Sequence, residues 1–227
     1  MTRAMLERTT LGRDAYGAIR EMLVDEARFA AGEKISIEAL SRDLGISRSP
    51  VWAAVSRLEA EGLLQVVPRQ GVFVIAFDRA RIVAIFEARE ALEGMAARLA
   101  AQRVTPDDHA ALDEALSRQA RAVATHDGDA YRIANLDFHH GLLATARNTT
   151  IETSLRALYA QVQTMCAGGA SPMDDWERLG GNVAEHRQVF DMIAKRDADA
   201  AERAAREHVR QLLATILARA GDEGVAD

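Results

Sequence analysis

Two apolar spacings in one chain predict a mainly α protein in two parts, an N-terminal winged helix-turn-helix followed by an antiparallel all-helical bundle. The first observation is residues 36–74, SIEALSRDLGISRSPVWAAVSRLEAEGLLQVVPRQGVFV, where two helix-spaced runs lead into two short apolar runs parted by Pro68-Arg69-Gln70-Gly71. The second is everything from Asp78 onward, where helix-spaced apolar residues recur between breakers with no strand pattern and no internal repeat. The third is composition: 48% hydrophobic but only 5% aromatic, with abundant alanine, which suits closely packed helices. The predicted domains are residues 1–76 and 77–227.

Residues 11–29 open the first domain as a helix with Tyr16, Ile19, Leu23 and Ala27 on one face, and residues 30–34 form a loop. Ser36 caps the next helix by accepting an otherwise orphaned amide, and Ile37, Leu40 and Leu44 form its buried side. Gly45 ends it, since glycine accepts the left-handed backbone of a helix C-terminus. Ser47-Arg48-Ser49-Pro50 starts the second helix, because proline loses nothing in a first turn. Val51, Val55 and Leu58 face the first helix, and Gly62 closes the second. The runs 63–67 and 71–75 are then the wing, joined by hairpin-turn residues.

A helix of this kind enters a DNA major groove by its N-terminal end. Ser47, Arg48 and Ser49 suit that role, arginine by forking onto guanine and serine by bonding phosphates or bases. LGISRSPVWAAVSRLEAEGLL followed by RQGVFV resembles the winged helix-turn-helix of GntR-type bacterial transcription regulators. The resemblance implies operator contacts from Ser47, Arg48 and Ser49 and from the wing-tip pair Gln70 and Gly71. One position departs from the pattern: Trp52 stands where most relatives carry a DNA-contacting arginine. Either that contact is apolar here or another cation serves, and Arg42, Arg57 and Arg69 are the nearest.

The net charge of −6 is unevenly placed. Residues 1–75 hold ten Lys/Arg and ten Asp/Glu, so the whole deficit lies beyond them. A neutral DNA-binding part implies weak non-specific affinity, with specific binding resting on a few placed arginines and on dimerisation. A single cysteine, Cys166, excludes an internal disulfide framework and fits a reducing cytoplasm. No stretch is long enough to span a membrane, and MTRAMLERTT has no apolar signal core, so a cytoplasmic location is expected.

In the second domain, Asp78 caps a helix over 78–102, stopped before Thr105-Pro106. Further helices are predicted over 106–125, 129–146, 149–167, 182–195 and 199–220, with a short turn of helix at 176–179 ahead of Gly180-Gly181 and a frayed tail after Gly221. Short loops between such helices imply an antiparallel bundle. Its polar residues carry the chemistry. Asn135 and His139 share a face beside Phe138 and Leu142; His186 sits on the stripe of Val183, Phe190 and Ile193; His208 sits on that of Ala201, Ala205 and Leu212. Three imidazoles on inward stripes suit a zinc, nickel, copper or iron ion with open positions; singly, each is an ordinary hydrogen-bonded core histidine. His140 lies on another face, and His109 and His126 near helix ends should be solvated.

Arg89 falls within the apolar face of the 78–102 helix and needs an anion. Glu93, four residues on, is one candidate; the carboxylate of a small organic acid is the other. FEAREALEGMAARLAA (86–101), NLDFHHGLLATARN (135–148) and EHRQVFDMIAKRDADAAERAAREHV (185–209) resemble the effector-binding FCD domain of the FadR-type branch of that same family, so the similarity covers nearly the whole chain. It implies a metal set at Asn135, His139, His186 and His208, with asparagine standing where metal-binding relatives have aspartate. Asp137 is two residues from His139 and points elsewhere on the helix.

The expected function is that of a homodimeric transcription regulator, a repressor by family habit, gripping a two-fold symmetric double-stranded operator. A small organic acid in the bundle, with zinc or nickel as the divalent transition metal, would alter operator affinity. Two alternatives stand beside it. One is a metal-dependent hydrolase using the three histidines, which lacks an obvious general base. The other is a DNA-binding dimer whose bundle is only a scaffold.

Overall fold

The computed structural model describes residues 3–24, 26, 28–165 and 175–222, with backbone alone for 3–13 and 219–222. Ala27, Cys166, the Gly168–Pro172 breaker and the tail after Asp222 therefore lie outside the described residues or side chains. Among the described residues are nine helices and three strands: α1 (Arg3–Val24), β1 (Lys34–Ile35), α2 (Ile37–Asp43), α3 (Arg48–Ala60), β2 (Leu64–Val67), β3 (Gly71–Val74), α4 (Arg79–Arg103), α5 (Pro106–Thr125), α6 (Gly128–Ala146), α7 (Thr149–Met165), α8 (Trp176–Ala194) and α9 (Ala198–Asp222). They divide into two compact units, Met1–Phe77 with Ala157–Ala170, and Asp78–Arg156 with Ser171–Asp227. The mainly α architecture of a winged helix-turn-helix and a helical bundle is the one present.

The first unit closes on Ile19, Leu23, Leu40, Val51, Val55, Leu58, Leu63, Val72 and Val74, all buried. These come from the apolar faces of α1, α2 and α3 and the inner face of the wing, so the 3.6-residue and two-residue periods meet in one core. Ala160 of α7 joins the same core, and the Gln161 amide donates to the Glu61 carbonyl at 2.9 Å. Ser36 caps α2 by accepting from the Ala39 amide at 3.2 Å, and Gly45 takes φ +65° just past its end. The sheet is antiparallel in the order β1-β3-β2, with Val67 opposite Gly71 across the wing turn. Strand β1 falls partly in the predicted loop; two residues are too few to show an alternation.

In the second unit α4 packs along α9, α5 along α6, and α8 against both α5 and α9. Asp78 caps α4 through the Arg81 amide at 2.7 Å, and Thr105 and Asp108 close a capping box on α5. One prediction needs correcting. Residues 176–194 form a single helix, α8, which runs straight through Gly180-Gly181. Each glycine in a helix interior costs about 1 kcal/mol against alanine. The buried face of Leu179, Asn182, His186, Val189, Phe190 and Ile193 is continuous across the pair and offsets that cost. Asp175 holds the new start by accepting from the Arg178 amide at 2.9 Å.

Gly71 tests the wing. Its φ of +126° is closed to a side chain, and an added Cβ would also meet Lys34 Cε at 2.9 Å. Lys34 can swing aside, but the backbone cannot relax without shifting the Val67–Gly71 register. Gly71→Ala is expected to destabilise the winged unit by more than about 1 kcal/mol. Urea unfolding read from Trp52 emission in a Trp176→Phe background checks this; an unchanged midpoint would show the turn to be adaptable.

Candidate metal centre and nucleic-acid interface

Helices α6, α8 and α9 bring His139, His186 and His208 together. All three are buried, and one ring nitrogen from each lies within 4.8 Å of the other two. The outer nitrogens of His186 and His208 are held by neighbours that fix their orientation. Gln119 of α5 donates its amide N–H to the Ala134 carbonyl at 3.3 Å, which turns its oxygen toward His186 Nδ1 at 3.0 Å. His186 therefore donates from Nδ1 and keeps a lone pair on Nε2. Glu185 Oε2 stands 2.6 Å from His208 Nδ1. Burial pulls Glu185 toward protonation, but hydrogen bonds from His208 and Arg178 outweigh it, and its pKa falls below the ordinary value. A carboxylate can only accept, so His208 also donates from Nδ1 and turns Nε2 toward the other rings.

Those two Nε2 atoms are 3.2 Å apart. Two lone pairs at that distance repel unless a proton or a metal cation lies between them. Burial, followed by the neighbouring His208 and His139 rings, pushes the His186 pKa well below its usual value. Burial likewise lowers His139, to about 3, despite the opposing pull of Glu93. Neutral imidazoles with aligned lone pairs are what a transition metal requires.

Beside His139 lies the pair that Arg89 forms with Glu93. Both are buried, with Arg89 Nε 2.7 Å from Glu93 Oε1 and Glu93 Oε2 3.9 Å from His139 Nδ1. Burial raises the Glu93 pKa, yet the Arg89 guanidinium and the histidines more than reverse it and hold the carboxylate ionised. Of the two partners expected for Arg89, the structure contains the glutamate. Asn135 sits half-buried one turn before His139. Asp137 is exposed and bonds Arg118 at 2.8 Å, on a different face from His139. His109 and His126 are exposed. Gln119 and Glu185 were not singled out from sequence. Gln119 carried a usable signal, a polar residue on the buried stripe Leu112, Ala115, Leu116 and Ala122; Glu185 carried none.

In the winged unit, Ser47, Arg48 and Ser49 are exposed at the start of α3, and the Ser47 hydroxyl makes no capping bond. Arg48 is 3.3 Å from Glu38, both largely solvated, so the pair is weak and the guanidinium can turn to another anion. Arg42, Arg69 and Gln70 are also exposed, the last two at the wing tip, where Arg69 takes φ +66°. Arg57 is engaged: its guanidinium lies 3.7 Å over the Tyr16 ring and 3.4 Å from Glu61. Trp52, one turn beyond Arg48, leaves 41% of its surface exposed.

Comparison with known proteins matches residues 11–74 to the gntR family of bacterial regulatory proteins and residues 84–211 to the FCD domain. The chain belongs to the gntR family, with an FCD domain as its C-terminal part. It is 30% identical over 214 residues to an HTH-type transcriptional regulator in an unstable DNA locus of Streptomyces ambofaciens, covering 90% of this chain and 84% of that one. It is 28% identical over 210 residues to the transcriptional repressor RspR of Escherichia coli K12, covering 91% and 89%. Among solved structures, E. coli McbR/YncC shares the fold with a TM-score of 0.74 at 21% identity, covering 92% of this chain and 98% of that one. As a gntR-family member the chain is a DNA-binding transcription regulator and not an enzyme, which sets the hydrolase alternative aside. No described helix is long and apolar enough to cross a membrane.

The histidine pKa values set a pH dependence for metal-free protein. Above pH 6.5 His139 is neutral both folded and unfolded, and its contribution is fully present. Below that value the unfolded chain takes up a proton that the folded site refuses until about pH 3, so stability falls across that window. The lowered carboxylates Glu93 and Glu185 act in the same direction as they protonate. The Tm of chelator-treated protein should decline steadily from pH 6.5 to about 4; a level Tm over that range would contradict the burial of neutral His139.

Proposed function

We propose that this regulator is a homodimeric repressor whose operator affinity is controlled by a small carboxylate bound with a divalent transition metal in the helical bundle. Residues 1–76 are the DNA-binding domain and 77–227 the effector-binding and dimerisation domain. The observation that carries the metal is the buried pair of Nε2 atoms, 3.2 Å apart, with a ring nitrogen of His139 within 4.8 Å of them. Zinc or nickel suits three imidazoles, and Asn135 stands one turn from His139 as an uncharged oxygen donor. When bound, the metal supplies a Lewis-acidic centre with open positions for a ligand.

Charge balance argues for an anionic effector. Burial keeps His139 and His186 from taking up a proton, and each nearby carboxylate already has its own arginine, Glu93 with Arg89 and Glu185 with Arg178. A dication placed among them has no spare negative charge, and burying an uncompensated charge is costly. A carboxylate entering the site supplies what is missing. Arg89 takes part directly only if it leaves Glu93; otherwise it keeps Glu93 ionised beside His139.

On the DNA side, two copies would place two α3 helices on a two-fold symmetric operator in the cytoplasm, Ser47, Arg48 and Ser49 at bases and phosphates and Arg42, Arg69, Gln70 and Gly71 beside them. The effector acts by favouring one pose of the dimer over another, which requires different affinities for the two.

Two measurements test this reading. Protein purified without chelator or histidine tag should contain about one equivalent of zinc, nickel or a similar metal per chain, lost in His139→Ala. Restoring zinc to chelator-treated protein should raise Tm, and an identical Tm with zinc and with EDTA would remove the metal from the reading. Arg48→Ala should weaken binding to a selected operator duplex roughly 10- to 100-fold if the arginine forks onto a guanine. Equal loss on all sequences would instead mark it as a phosphate contact.

A further inference from the structure

We propose that Arg178 and Asn182, in the first turns of α8, form the carboxylate-recognition site of the effector, distinct from Arg89. This rests on the carboxylate-effector reading above and assigns its recognition to residues that the sequence did not single out. Arg178 directs Nη1 to Glu185 at 2.7 Å. Its Nε and Nη2 are buried and have no hydrogen-bond partner among the described residues. Those two nitrogens form one edge of the guanidinium, the side-on fork whose parallel N–H bonds match the two oxygens of a carboxylate. A charged donor pair hidden from water without an acceptor is costly, and native structures rarely tolerate it without a purpose.

Asn182 lies one turn further along the same helical face and is more than nine-tenths buried; its side chain hydrogen-bonds the Tyr131 phenol, and its Oδ1 has no partner among the described residues. The Tyr131 phenol is beside it, with its pKa raised to about 12, chiefly by burial, so it remains a neutral hydroxyl. Two parallel donors with a lone acceptor nearby select a ligand with the reverse pattern. That ligand is a carboxylate carrying a hydroxyl or ammonium on a neighbouring carbon, its acid group on the Arg178 fork and its donor on Asn182 Oδ1.

Arg89 offers no such edge, because its Nε is given to Glu93 in a pair only 3% and 6% exposed. The Arg178 site is also wired to the histidines. Glu185 accepts from Arg178 through Oε1 and from His208 through Oε2, so one carboxylate joins the fork to a metal ligand. A carboxylate on the fork draws positive charge from Arg178 and leaves Glu185 freer to polarise His208. Effector and metal binding are thereby coupled, each favouring the other.

The test uses the full chain with acetate, glycolate, glycerate and gluconate at millimolar concentration, reading thermal stability and affinity for a selected operator duplex. The hydroxy acids should stabilise wild-type protein more than acetate does. Arg178→Lys keeps the charge beside Glu185 but lacks the fork, and should raise the acid concentration needed at least tenfold while its Tm without acid stays close to wild type. Asn182→Ala should erase the preference for hydroxy acids over acetate, and Arg89→Lys should keep the response. An undiminished response in Arg178→Lys, or loss confined to Arg89→Lys, overturns the assignment and leaves the carboxylate-effector reading standing. If no acid changes wild-type stability or operator affinity, the carboxylate-effector reading falls and takes the assignment with it.

Discussion

Two imidazole Nε2 atoms face one another at 3.2 Å inside a helical bundle, and the surrounding polar residues hold the rings that carry them. Gln119 and Glu185 accept from the far sides of His186 and His208, so neither ring can turn its N–H inward without stranding an acceptor. Phe138 stacks on His186 with centroids 4.7 Å apart and limits rotation of that ring. Such restraint would be wasteful in a core built only for stability, where apolar residues of similar volume pack as well or better. Placing a cation at the shared centre turns repulsion into attraction, and the Gln119 and Glu185 contacts then hold each ligand in orientation.

The second layer of the site is electrostatic. Glu93 and Glu185 each stand between an arginine and a histidine, and each is held ionised against burial. The two arginines nevertheless differ in what remains available. Arg89 is enclosed, and its Nε is committed to Glu93. Arg178 is 17% exposed at the side chain and among the described residues bonds only through Nη1, with Nε and Nη2 buried. In the proposed site, the rigid Arg89–Glu93 pair would help hold the metal centre while the Arg178 edge would read the ligand.

How far this was visible in the sequence follows from the range of each interaction. The caps at Ser36, Asp78 and Thr105 are local and could be read directly. The histidine trio was legible because each member sits on its own apolar stripe, so three separate periodicities pointed at one centre. Gln119 gave the same kind of signal and could have been found by asking what a glutamine does between Leu116 and Ala122. Arg178 could not, for a specific reason. Reading Gly180-Gly181 as a break puts Arg178 and Asn182 on different elements, whereas the continuous α8 sets them one turn apart with Glu185 a further turn on. Helix propensity weighs two glycines locally, while the buried face that overrides them depends on α5 and α9, which lie far off in sequence.

The DNA-facing surface follows a different logic, since it has no buried partners to fix it. Arg57 is drawn back onto Tyr16 and Glu61, and Trp52 occupies the exposed turn after Arg48 where the family pattern has a cation. If α3 lies on DNA as proposed, a tryptophan in place of that cation would remove one phosphate attraction from a domain already neutral in charge and shift the balance from non-specific to specific binding. An exposed indole on a recognition helix gains most against an apolar base edge, and the thymine methyl is the one the major groove presents. In the proposed dimer, fewer long-range attractions per copy would make occupancy depend more steeply on engaging both half-sites at once. A small change in the pose of the two copies of the proposed dimer would then suffice to release the operator, as ligand control of a repressor requires.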